Sequence, residues 1–177
     1  MAPTLLNKAD GGAPDEIGDH STSRITPDKD SVVTEIFIAA PSERIFRALV
    51  DRDQALQWGS SPEFEMTQWE MDARLGGKWN FVAREREPSG AYSVNQFEQH
   101  GEILEIDPPR LLVYTWYANF HEQPAHKTTV HWELSSTPGG TMLKVTHSSL
   151  AQLPKDRDGY VQGWPGLLER IKQFTES

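Results

Sequence analysis

Cysteine is absent from the 177-residue chain. Disulfides, thiol catalysis and cysteine-ligated zinc are therefore excluded. Long apolar runs are also missing: none approaches the roughly 20 consecutive residues that a membrane-spanning helix needs. Positive charge is scarce, with 17 Lys and Arg against 26 Asp and Glu and a formal net charge of -9. That balance disfavours nucleic acid and anionic lipid as partners, because both need clustered Lys and Arg. The best basic stretch, "VAREREP", alternates Arg84 and Arg86 with Glu85 and Glu87 and reads as a solvated strand end. No G-x-S-x-G, G-x-x-x-x-G-K-[ST] or G-x-G-x-x-G motif occurs, so the common nucleophile and phosphate signatures are missing. The start, "MAPTLLNKADGGAPDE", has no basic region followed by an apolar block, so a signal peptide is not supported and a cytoplasmic location is expected.

What is present suits one domain with an extension: 37% hydrophobic residues and six tryptophans. Residues 1–30 are rich in Gly, Pro, Asp and Ser and lack periodicity, which predicts a flexible tail. Order is expected from residue 31 to 177. "SVVTEIFIAAP" reads as a strand stopped by Pro41, and "PSERIFRALVD" and "RDQALQW" as two short helices. Then come about six strands with short turns between them, an antiparallel meander. Gly101 is expected to mark a bulge in the long "YSVNQFEQHGEILEID" strand.

The last segment, "GYVQGWPGLLERIKQF", places Val161, Trp164, Leu167, Leu168, Ile171 and Phe174 on one helical stripe. Pro165 breaks the pattern, so the helix is expected either to start near Trp164 or to bend there. The predicted fold class is α+β, a curved antiparallel sheet wrapped around a long C-terminal helix. A strongly curved sheet cannot fill its own concavity, so aromatics on the sheet and the helix either fill the space or line a pocket.

Strand parity and the helical stripe nominate the pocket residues: Trp79 and Phe81; Leu112, Tyr114 and Trp116; Trp132; His147; and Tyr160, Trp164 and Leu168, with Trp58 closing one end. Aromatic walls with a few polar tips are the usual make-up of a small-molecule site, with a void of a few hundred Å³. His147 stands at the inward parity of an apolar strand. It suits a ligand contact or acid–base work near its ordinary pKa of roughly 6.5; the plainer expectation is a strand-end histidine bonded to backbone or water. His121, His126 and His131 are spaced by five, which alternates faces in extended chain, and no metal site is expected. Asp72 and Arg74 are expected to pair locally at the Gly76-Gly77 turn, and Glu102 and Glu105 have opposite parity. No catalytic residue and no cofactor is assigned.

"MDARLGGKWNF", "GEILEIDPPRLLVYTW", "TMLKVTHSSL" and "GWPGLLERI", in that order, resemble the family of proteins similar to the C-terminal domain of the activator of heat shock protein 90 ATPase. That family lies in the START-related, birch-pollen-allergen-like (SRPBCC) superfamily. The resemblance spans about Ser31 to Phe174 and implies the helix-grip fold with a central hydrophobic cavity. Leu75 stands where the family usually has Pro, Ser149 where Gly often follows "HS", and Pro165 just after the Gly-Trp pair. The resemblance implies three functions. The first is binding of a hydrophobic or aromatic small molecule. The second is a chaperone-partner or stress-response module, which needs an exposed apolar patch on the outer face of the sheet or near Tyr117 and Phe120 and is weakened because the chain has no room for the activator's additional N-terminal domain. The third is a cyclase or hydrolase pairing His147 with Tyr114 or Tyr160.

Overall fold

The computed structural model describes residues 20–177. Eight strands form one antiparallel sheet: β1 (Thr22–Ile25), β2 (Val32–Ile38), β3 (Phe64–Met71), β4 (Lys78–Glu85), β5 (Phe97–Asp107), β6 (Leu111–Ala118), β7 (Thr128–Thr137) and β8 (Gly140–Ser148). Their spatial order is β1-β2-β8-β7-β6-β5-β4-β3. Consecutive strands from β3 to β8 are neighbours, as the short turns predict, while β2 closes onto β8 with Val32 opposite His147. Helices α1 (Ser42–Val50) and α2 (Arg52–Trp58) follow β2, and α3 (Pro154–Glu176) ends the chain. The architecture is α+β: a curved sheet packed on the long C-terminal helix.

Local chemistry accounts for the joints. Helix α1 buries Ile45, Phe46, Ala48 and Leu49 on one face. Asp51 ends it and starts α2: its backbone N–H donates to Arg47 O, and its carboxylate accepts from Gln54 N at 3.0 Å. Asp72 and Arg74 pair at 2.7 Å beside the Gly76 turn, as expected, and Leu75 is 73% exposed there. Ser149 takes a left-handed φ of 66°. That conformation favours glycine, so the residue expected there has a backbone reason.

Three expectations are corrected. Ordered structure begins before residue 31: Thr22–Ile25 is a strand paired with β2, with Ile25 opposite Val32. Alternating polar residues hid it, because an edge strand needs little apolar content. The expected tail otherwise falls on residues 1–19, outside the described residues. The bulge in β5 lies between Ile103 and Glu105, not at Gly101. Gly101 instead permits a close approach, since a Cβ there would stand 1.8 Å from Thr115 O. Thr115 Oγ1 accepts from Glu102 N at 2.9 Å, and its carbonyl accepts from Trp79 Nε1 at 2.9 Å. Finally, α3 does not start near Trp164. It starts at Pro154, a favoured place for proline, and runs through Pro165.

Helix α3 packs on β1, β2, α1 and α2 and buries Tyr160, Trp164, Leu167, Leu168 and Ile171. The chain ahead of β1 lies against it: Ser21 Oγ donates to Pro165 O at 3.2 Å. Among the described residues, no helix is long and apolar enough to cross a membrane.

Candidate functional site

All eleven nominated residues are buried. Between sheet and α3 they form an aromatic cluster around a cavity. Its wall is Trp58, Trp69, Phe81, Tyr114, Trp116, Trp132 and Trp164, completed by Leu49, Met66 and Leu167. Trp69 stacks on Phe81 with centroids 5.8 Å apart. Trp164 meets Trp132 and Trp116 edge-on at 5.6 and 5.8 Å. The cavity volume is about 20 Å³, room for about one water. The expected void of a few hundred Å³ is therefore corrected: the rings pack face to edge and consume the concavity. The softest part of the wall is Met66, an unbranched thioether with three rotatable bonds. Its Sδ and Cε occupy the space beside Gly59, where a Cβ would come within 2.5 and 2.4 Å of them.

The polar handles of the wall divide. Trp58 Nε1 donates to Ala48 O at 2.8 Å, and Trp132 Nε1 to the Tyr114 hydroxyl at 2.8 Å. The N–H groups of Trp69, Trp116 and Trp164 are buried without a hydrogen-bond partner among the described residues. Burial pushes the Tyr114 hydroxyl well above its ordinary pKa, so it stays protonated.

A polar cluster lies behind Trp116. His147 is fully buried, and its Nε2 lies 2.8 Å from Thr128 Oγ1. This replaces the expected strand-end histidine bonded to backbone or water. Its ring lies tilted against Tyr160, centroids 4.3 Å apart, rather than bonding the hydroxyl. The Tyr160 hydroxyl instead meets His121 Nε2 at 2.5 Å. Desolvation drives His147 well below its ordinary pKa, assisted by His121. It drives His121 down to about 4, assisted by His126. Tyr160 rises because it is buried and then because the Asp156 carboxylate is close; the Trp116 N–H leans toward it and moderates the rise without meeting hydrogen-bond geometry. Among the described residues, no group of three His, Asp or Glu side chains is arranged to hold a metal.

The family model described as "Activator of Hsp90 ATPase homolog 1-like protein" matches residues 39–176. The chain belongs to this family. No curated protein is similar enough in sequence to match. Solved structures share the AHSA1-like fold. A Chromobacterium violaceum protein is 21% identical, covers 84% of this chain and 99% of its own, and has a TM-score of 0.69. An AHSA1-like protein from Aeromonas hydrophila is 21% identical, with 82% and 92% covered and a TM-score of 0.63. DynU16, a protein of the dynemicin biosynthetic locus, is 17% identical with a TM-score of 0.62. The match covers 84% of this chain but 48% of DynU16. At these identities the likeness is one of fold.

Within this AHSA1-like domain, six nominated residues line the cavity: Trp58, Phe81, Tyr114, Trp116, Trp132 and Trp164. Trp79, Leu112, Leu168, His147 and Tyr160 are core residues outside its wall. Sequence reasoning missed Leu49, Met66, Trp69 and Leu167 as wall residues. For Trp69 the cause is the β-bulge between Met66 and Gln68, which breaks strict alternation along β3. Of the two residues named for the apolar patch of the chaperone-partner reading, Phe120 is buried at 8% exposure, and the Tyr117 ring is tilted against His100 at 5.2 Å. The outer face of the sheet carries a depression of about 590 Å³ with a mixed lining that includes Trp79, Leu104 and Tyr117, and in it Lys78 pairs with Glu102 at 3.2 Å.

Proposed function

We propose that this AHSA1-like domain binds a hydrophobic, aromatic small molecule in the core between sheet and α3, as a cytoplasmic carrier or sensor. The observation that carries the reading is a cavity walled by seven aromatic residues, with one flexible side chain, Met66, in its lining. Rigid rings supply contact area at low entropy cost, and a thioether yields more readily than a branched side chain. Binding then proceeds by displacing Met66, so association is slower than for a preformed site. A catalytic reading has less support, because His147 and Tyr160 converge on each other and not on the cavity. A chaperone-partner reading has less support, because Phe120 is buried.

The test is release and refilling. The protein is purified without added ligand and denatured, and the released material is identified by mass spectrometry. In parallel, tryptophan fluorescence is titrated with naphthalene for the wild type and Met66→Ala. The expected outcome is saturable quenching that strengthens at least threefold in Met66→Ala, even though the truncation lowers stability by about 2–5 kcal/mol. No released molecule, with no saturable response in either protein, would overturn the reading.

A further inference from the structure

We propose that the outer face of the sheet carries a second binding site, a hollow that takes a small aromatic monocarboxylate. The proposal is independent of the reading above, because the hollow lies on the opposite side of the sheet from the core cavity.

Two rows of side chains build it. Strand register sets Asn80 opposite His100, and His100 opposite Tyr117. Trp116 pairs with Thr128, so Tyr117 and Lys127 stand at the next step along β6 and β7. The first row therefore runs amide, imidazole, phenol, ammonium, a span of roughly 14 Å at the usual strand spacing. The chain neighbours Trp79, Phe81, Gln99, Trp116, Ala118 and Thr128 are buried, so strand alternation turns the four row residues outward. The second row is Lys78, Glu102 and Thr115. Lys78 lies opposite Glu102, and the Glu102 N–H donates to the Thr115 hydroxyl at 2.9 Å. Both rows line one hollow of about 590 Å³, within the range of small-molecule sites.

The polarity of the hollow is unbalanced. Its single carboxylate, Glu102, is taken up by Lys78 at 3.2 Å. Among the described residues Lys127 has no carboxylate partner. Asn80 Oδ1 accepts from Gln68 Nε2 at 2.6 Å, which leaves the Asn80 amide N–H groups to donate. The Thr115 hydroxyl accepts from Glu102 and keeps its proton to give. One excess positive charge and a set of neutral donors remain.

That balance sorts ligands. A monocarboxylate answers the one unpaired ammonium and accepts from the donors beside it. An attached ring lies against the His100 and Tyr117 rings, whose centroids are 5.2 Å apart, and against Leu104, which is 43% exposed. An organic cation would face Lys127 with Glu102 already engaged. A neutral aromatic would gain the ring contacts and leave the charge unanswered. A nucleic acid strand needs several cations in line, and the hollow has one to spare in a chain of net charge -9.

The experiment uses the full chain and four probes: 2-naphthoate, 2-naphthamide, 2-naphthylmethylamine and cyclohexanecarboxylate. Each is titrated with and without excess naphthalene, the probe of the core cavity. Affinities come from calorimetry, and ¹⁵N-resolved NMR of the backbone amides locates each probe. The expected result is that naphthoate shifts the His100, Tyr117 and Lys127 amides whether or not naphthalene is present. At low salt it binds about threefold to fivefold tighter than the amide, the scale of one exposed ion pair, and the advantage shrinks in high salt. Lys127→Gln removes that advantage and leaves naphthamide binding unchanged. Tyr117→Ala brings naphthoate down toward cyclohexanecarboxylate. Naphthoate binding no tighter than naphthamide, a preference for the ammonium probe, an affinity unmoved by Lys127→Gln, or shifts confined to core amides would each overturn the proposal. Absence of any shift on the outer face overturns it as well and leaves the core reading, which naphthalene tests, untouched.

Discussion

His121 lies in the β6–β7 connection with its Nε2 on the Tyr160 hydroxyl, and burial lowers its pKa to about 4. The groups around it are Tyr160, His126, His147 and Asp156. An unfolded histidine titrates near 6.5, so between pH about 6.5 and 4 the unfolded chain binds the extra proton. Stability is therefore full above that window and falls as pH drops through it, by up to about 3 kcal/mol for His121. His147 acts in the same sense. The Asp156 carboxyl, raised by burial, acts in the opposite sense at the acid end, because its folded form takes a proton first. The urea midpoint is expected to drop between pH 7 and pH 5, and His121→Gln to flatten that slope; a pH-independent midpoint contradicts the account. His121 was not legible as a core residue, since a loop has no period to betray its buried side. His147 was legible, because β8 alternates strictly and buries Thr141, Leu143, Val145 and His147.

At the scale of elements, the start of α3 is capped from another segment. Its own N-cap residue, Leu153, offers no side-chain bond. Instead Glu122, between β6 and β7, accepts from Lys155 N at 3.2 Å, and its own N–H donates to Asp156 Oδ2 at 2.9 Å. This is the reciprocal logic of a capping box, split between two stretches of chain. Glu122→Ala is expected to cost about 1 kcal/mol, read as a lower denaturant midpoint at unchanged slope. A midpoint equal to wild type would show that water replaces the cap. Gly101→Ala tests the β5–β6 approach: a methyl placed 1.8 Å from a backbone oxygen cannot be absorbed by a rotamer change. The expectation is a loss of about 2–4 kcal/mol with a repacked Trp79, whose N–H shares that oxygen. Element types were readable because period two and period 3.6 are distinct. The helix start was not, because its cap lies thirty-odd residues away in sequence, about the span of a supersecondary unit.

At the scale of the molecule, the sheet has two edges, β1 and β3. Strand β1 covers β2, which is buried at Val32, Val33, Thr34, Ile36 and Ile38. A chain starting at Thr26 is expected to expose that edge and self-associate, seen as concentration-dependent elution in size exclusion; elution the same as that of the full chain would contradict β1 as an edge guard. The overall fold followed from the order of elements and short turns, and the cavity's location followed from it. Its small volume did not, because whether rings fill or line a concavity depends on angles between them that no periodicity encodes. The β2–β8 pairing has one more consequence, for synthesis. A ribosome delivers β1 and β2 early and the two can pair at once, yet the other edge of β2 must wait for residue 147. The meander from β3 to β8 pairs neighbour with neighbour as it emerges, while β2 keeps one edge open. During synthesis one edge of an apolar strand therefore stays open until β8 emerges, an exposure of the kind that favours association before folding is complete.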